Sequence, residues 1–144
     1  MTSLDGPAIL LVEDNPDDAE LTLRALRRAR LAHTVHVARD GVEALDFLFD
    51  EEGTDRPALP RVVLLDLKLP RIDGLEVLAR IRGNERTKKL PVVVITSSRE
   101  EPDVQKAYGL GVNSYVVKPV EFEKFVAAIG EVGRYWLVLN QPPM

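Results

Sequence analysis

The chain contains no cysteine. Disulfides, thiol nucleophiles and zinc–thiolate centres are therefore excluded. It has one tryptophan and only 6% aromatic residues. It carries no basic tract or aromatic strip of the kind that grips nucleic acid. No apolar run approaches the roughly 20 residues that span a bilayer, so no membrane segment is expected. The start, Met1 to Pro7, lacks the basic residues and apolar core of a secretory signal. The expected location is cytoplasmic. No internal repeat and no long linker divides the sequence.

What is present is ordinary in bulk. The 144 residues are 45% hydrophobic and 29% charged, with a net charge of −4. That is the profile of one soluble domain with a real core. The arrangement is more telling. Three apolar segments each run into a charged side chain: AILLV into Glu13 and Asp14, VVLL into Asp66, and SYVV into Lys118. A fourth, VVVI, runs into Thr96.

These segments predict strands at residues 8–12, 34–38, 61–65, 91–96 and 113–117. VVLL and VVVI lack the polar alternation of a half-exposed strand, so they read as buried on both faces. Helical stripes lie between them: Ala19, Leu23 and Leu26; Leu75, Leu78 and Ala79; Phe122, Phe125, Val126 and Ile129. Asn15 suits a helix cap, Pro16 a first turn, and Asp17 and Asp18 the positive end of the helix dipole. Gly111 reads as a turn residue, and the polar, proline-bearing stretch 51–60 as a surface loop. The alternation implies an α/β fold, a doubly wound five-stranded parallel sheet with helices on both faces. The domain is expected over residues 8–139, with a flexible N-terminus at 1–7 and a tail at 140–144.

In a sheet of order 2-1-3-4-5, strands 1 and 3 meet at the switch point. That order brings Asp14 to Asp66 and sets Thr96 and Lys118 along the same carboxyl edge. Clustered carboxylates repel and raise each other's pKa. Mg²⁺ relieves that cost, because it prefers oxygen ligands. Asp66 is then suited to attack phosphorus as a carboxylate nucleophile and form an acyl phosphate. Lys118 would neutralise one phosphoryl oxygen and Thr96 would donate to another. Phosphoryl transfer needs mainly such positioning and charge stabilisation. Each residue alone has an ordinary reading, as a helix cap, a loop acid, a strand-end hydroxyl or a surface lysine. Their joint occurrence at four strand ends, in this order, favours function.

The segments ILLVEDNPDDAE, VVLLDLKLPRIDG, VVVITSS and YVVKP, in order and at matching spacing, resemble a response-regulator receiver domain over nearly the whole chain. The resemblance implies the flavodoxin-like receiver fold with strand order 2-1-3-4-5. It implies phosphorylation of Asp66 by a histidine kinase, with phosphohistidine as donor. It implies Mg²⁺ held by Asp14, Asp66 and the backbone carbonyl of Lys68, with Glu13 acting through water. Thr96 and Lys118 would be phosphoryl ligands, Ser97 would line the phosphate pocket, and Ser98 would be a loop or cap residue. A cis Lys118–Pro119 bond is also implied. Asp73–Gly74 matches the turn that starts the third helix. Tyr115 falls at the family's aromatic switch position; it also reads as a plain aromatic on a strand face, and both readings remain open.

The implied function is a signalling switch rather than an enzyme, with self-phosphorylation and autodephosphorylation chemistry of its own. No output domain is expected, so the downstream target or phosphotransfer partner is unidentified. GVEALDFL, RPALPRVVLLDLKLPRIDG and RYWL are similar to single-domain receivers that partner bacterial phytochromes. Three alternatives compete. A pseudo-receiver binding module would not need the full set Asp14, Asp66, Thr96 and Lys118. Haloacid-dehalogenase-like phosphatases carry a second acid two positions after the nucleophile, where this chain has Lys68. A flavin or nucleotide protein would want a phosphate-binding loop after strand 1, but EDNPDD is acidic.

The end is too continuously apolar for a solvated helix. A homodimer is expected through Tyr135, Trp136, Leu137 and Leu139 on the fifth helix. Packing of the same run on its own core is the alternative.

Overall fold

The computed structural model describes residues 7–31, 34–49 and 59–141. In chain order the elements are β1 (Ile9–Val12), α1 (Pro16–Arg28), β2 (Val35–Ala38), α2 (Gly41–Leu48), β3 (Val62–Leu65) and α3 (Gly74–Arg82). They continue as β4 (Val92–Thr96), α4 (Glu101–Gly109), β5 (Ser114–Val117) and α5 (Phe122–Arg134), which runs on as one π-helical turn, Tyr135–Leu139. Residues 51–58 of the expected surface loop, most of the expected N-terminal segment and residues 142–144 of the tail lie outside the described residues.

All five strands are parallel, in the order β2-β1-β3-β4-β5. Burial accounts for which strands are central and which are edges. Every residue of β1, β3 and β4 is buried, so these strands fill the centre and are apolar on both faces. β2 and β5 are less buried and form the edges. Side chains alternate across the sheet. Leu10, Val12, Val63, Leu65, Val92 and Val94 meet α2, α3 and α4 on one face. Ile9, Leu11, Val62, Leu64, Val93 and Ile95 meet α1 and α5 on the other. Each such aliphatic side chain stabilises the fold by about 1.5–3 kcal/mol relative to exposure.

Local chemistry sets the helix starts. The Asn15 side chain accepts from the amides of Asp17 and Asp18, and Pro16 opens α1. Asp73 accepts from the Glu76 amide at 3.0 Å and starts α3. Gly74 follows because the backbone there touches the functional strand end: a Cβ would run into the carbonyl oxygen of Asp66. Gly111 sits at φ +95° and turns the chain into β5.

The C-terminal run divides by face. Phe125, Ile129, Gly133 and Leu137 recur every four residues, and all are buried. They pack α5 on the sheet and on α1, where Gly133 lies against Leu26 and Leu31. Leu137 is therefore a core residue of its own chain and is withdrawn from the expected dimer interface. Trp136 is half-buried on the same core and meets Tyr135 edge to face, with ring centroids 5.0 Å apart. Tyr135, Val138 and Leu139 remain 48%, 61% and 68% exposed. Phe122, expected in the core stripe, is 37% exposed at the first position of α5.

Candidate functional site

The register of the sheet assembles the site. Val12 pairs with Leu65, so the residues that follow, Glu13, Asp14 and Asp66, converge. Thr96 pairs with Val117, which sets Thr96 beside Lys118. Backbone bonds fix this edge: the Asp66 amide donates to the Val12 carbonyl at 3.1 Å, and the Lys118 amide to the Thr96 carbonyl at 2.7 Å.

Carboxylate oxygens of Glu13, Asp14 and Asp66 all lie within 4.8 Å of one another. Glu13 and Asp66 are buried and Asp14 is exposed. Three hard oxygen donors, one of them open to solvent, fit a divalent cation such as Mg²⁺. The Lys118 ammonium balances them. Its three contacts are to Glu13 Oε1 at 2.8 Å, Asp18 Oδ2 at 2.9 Å and Asp66 Oδ2 at 3.1 Å. The other Asp66 oxygen, Oδ1, accepts from the Lys68 amide at 3.1 Å. Beside the cluster lies a cleft of about 370 Å³ lined by Asp14, Lys68, Pro70 and Asp103 among others.

Burial pushes the Glu13 carboxyl up to about 7, against the pull of the Lys118 hydrogen bond, and the charge of Asp66 pushes it further. Burial alone would lower the Lys118 pKa. The hydrogen bonds to Glu13 and Asp18, with the charge of Asp66, outweigh that and hold it above the usual lysine range. At neutral pH Lys118 is thus a fixed cation, and Glu13 is a carboxyl held well above the usual carboxylate range.

A second network runs from this edge to α4. Thr96 is fully buried, and its hydroxyl accepts from the Ser98 amide at 3.4 Å. The Ser98 hydroxyl donates to Asp103 at 2.6 Å and accepts from the Glu100 amide at 3.3 Å, closing the turn ahead of α4. Tyr115 reaches over the same turn. Its hydroxyl donates to the Ser98 carbonyl at 2.9 Å, and burial raises its pKa. Ser97, expected to line the pocket, is exposed.

Two sequence expectations need amendment. No peptide bond among the described residues is cis, so Lys118–Pro119 is trans. Trans is the isomer that X–Pro favours by about 0.5–1 kcal/mol, and the chain reaches α5 without leaving it. Asp18, which the sequence offers only as a dipole partner, does stand in the first turn of α1 and also holds Lys118. The signal was available: helical side chains lean toward the N-terminus, and the third residue of α1 therefore leans back toward Glu13 and Asp14.

Residues 9–130 match the family model of the response regulator receiver domain. The sequence is 47% identical over 135 residues to the probable methanogenesis regulatory protein FilR2 of Methanothrix harundinacea, covering 94% of this chain and 86% of that protein. The Mn²⁺-bound form of response regulator Rcp1 has a TM-score of 0.86 at 36% identity, over 96% of this chain and 99% of that one. The bacteriophytochrome response regulator AtBRR is 55% identical, with a TM-score of 0.71, over 95% of this chain and 99% of that one. The match spans the whole sheet and includes all four strand ends that build the site, so this chain belongs to the response regulator receiver domain family.

Proposed function

We propose that this protein is a phosphorylation switch that takes a phosphoryl group on Asp66 from a histidine kinase. The observation that carries this reading is the environment of one carboxylate. Asp66 is buried, gripped through one oxygen by Lys118 and through the other by the Lys68 amide. A nucleophile so held is aimed before the donor arrives. An Asp66 oxygen forms the new bond to phosphorus. The bond from phosphorus to the kinase imidazole nitrogen breaks, and that nitrogen keeps the electron pair. Acetyl phosphate serves equally, with acetate as the leaving group.

Lys118 follows the charge from Asp66 to a phosphoryl oxygen, since its ammonium already touches Asp66. Asp14 and Asp66, with the Lys68 carbonyl and with Glu13 through water, would hold Mg²⁺. When bound, the ion neutralises charge between the carboxylates and the incoming phosphoryl group. Mn²⁺ in the solved Rcp1 structure supports a divalent site.

For the response, the Thr96 hydroxyl is the group that turns to the phosphoryl oxygen. Doing so gives up its bond from the Ser98 amide, and the Ser98 carbonyl is the acceptor of Tyr115. Movement at Asp66 thereby reaches the face formed by α4 and β5. The phytochrome class of kinase is the partner favoured by the names of two solved structures similar to this chain, the cyanobacterial phytochrome response regulator RcpA and the bacteriophytochrome response regulator AtBRR. A homodimer through Tyr135, the open part of Trp136, Val138 and Leu139 is the favoured assembly. No helix of the described residues is long and apolar enough to cross a membrane, which is compatible with a cytoplasmic partner.

The test is incubation with acetyl phosphate, with Mg²⁺ or with EDTA, followed by intact mass. One phosphate is expected only with Mg²⁺, and none on Asp66→Asn.

A further inference from the structure

An ammonium has three N–H donors. In this protein all three are spent on carboxylates, from Glu13, Asp18 and Asp66. Two of those partners have another duty. Glu13 and Asp66 belong to the cation cluster, and Asp66 is the proposed nucleophile. Asp18 lies outside that cluster. It stands in the first turn of α1, where the amides of Asp17 and Asp18 are tied to Asn15. Its backbone carbonyl accepts from the Thr22 hydroxyl at 2.9 Å. The carboxylate thus projects from a fixed support.

We propose that Asp18 is a positioning residue for phosphoryl transfer: it holds Lys118 over Asp66 from the α1 side and keeps the ammonium aimed when Asp66 gives up its own charge. This rests on Asp66 being the phosphate acceptor. When the acyl phosphate forms, Asp66 no longer offers a full carboxylate to Lys118. Glu13 and Asp18 then keep the ammonium in place, and only Asp18 approaches it from a helix. Acting through Lys118, Asp18 touches neither the donor nor the phosphoryl group.

The experiment times phosphorylation by acetyl phosphate across donor concentrations in saturating Mg²⁺, using intact mass. Asp18→Asn is expected to lower the saturating rate about tenfold, the low end of what a charge-assisted hydrogen bond contributes. The donor concentration at half-maximal rate should change less than about twofold, because donor binding is not what Asp18 serves. Asp17→Asn is the control. It removes the same charge from the same helical turn, and Asp17 is exposed, so its rate should match the unmutated protein. Asp18→Glu, which keeps a carboxylate on a longer arm, should recover most of the rate. An Asp18→Asn rate equal to wild type overturns the proposal, as does an equal loss in Asp17→Asn, which would mean a helix-dipole effect. Asp66→Asn separates the two levels. If it still gains phosphate, the acceptor assignment falls; if it is inert while Asp18→Asn is normal, only the role of Asp18 falls.

Discussion

Glu13 is a carboxyl held where its charge is costly, and that cost is measurable as a dependence of stability on pH. The side chain is 4% exposed, and its pKa stands at about 7 instead of 4.5. A carboxyl whose folded pKa is raised binds its proton more tightly in the folded state. Its contribution to stability is therefore fully present below pH 4.5 and is lost as pH rises through about 7. At about 1.4 kcal/mol for each pH unit, the loss is about 3 kcal/mol across that window. Lys118 does not offset it there, because its raised pKa acts only at alkaline pH. Glu13→Gln keeps the shape and removes the titration. The assay is urea denaturation of both proteins in EDTA, from pH 4 to pH 8. The unmutated protein should lose about 3 kcal/mol relative to the variant between pH 4.5 and pH 7, then run parallel to it. Parallel curves throughout, or a gap that opens only between pH 7 and pH 8, would refute the reasoning.

Three further outcomes are expected. Lys118→Ala leaves Glu13, Asp18 and Asp66 without their shared cation, so calorimetry should find tighter Mg²⁺ binding while phosphorylation by acetyl phosphate nearly ceases. The Arg82 guanidinium donates to the Leu90 and Gly111 carbonyls and to Asn113 Oδ1 at 2.7–2.9 Å, at the opposite end of the sheet. Arg82→Ala should cost about 2–3 kcal/mol in chemical denaturation without altering the rate of phosphorylation. Replacing exposed Val138 and Leu139 by Ser should lower self-association in light scattering and leave the thermal midpoint nearly unchanged, because neither is part of the core.

Most of the fold was legible because its strands are buried on both sides. Such strands appear as unbroken apolar runs, and every strand end lies within one residue of its sequence expectation. The site was legible for a related reason: a parallel sheet gathers its carboxyl ends, so charges that end apolar runs must meet. Spacing could not say which direction a helical side chain takes. Asp18 was thus read as a helix-end charge when it completes the coordination of Lys118. The apolar end was misread in part because periodicity does not reveal how much surface the same chain can offer. The core on that face of the sheet has room for Leu137 and part of Trp136, leaving Tyr135, Val138 and Leu139 outside. Ser98 reads as a loop or cap residue and does close the turn ahead of α4, but it also joins Thr96, Asp103 and Tyr115. No local pattern announces a residue that makes these links through its amide, its hydroxyl and its carbonyl at once.

The central claim is that the phosphoryl group resides on Asp66, and chemical trapping of the acyl phosphate tests it most directly. The protein is phosphorylated with acetyl phosphate and Mg²⁺ and reduced with borohydride, which converts an aspartyl phosphate to homoserine. Peptide mass mapping then locates the change. Homoserine is expected at position 66 alone, directly after VVLL. Homoserine at position 14 or 18, or a stable phosphate elsewhere with Asp66 intact, would contradict it.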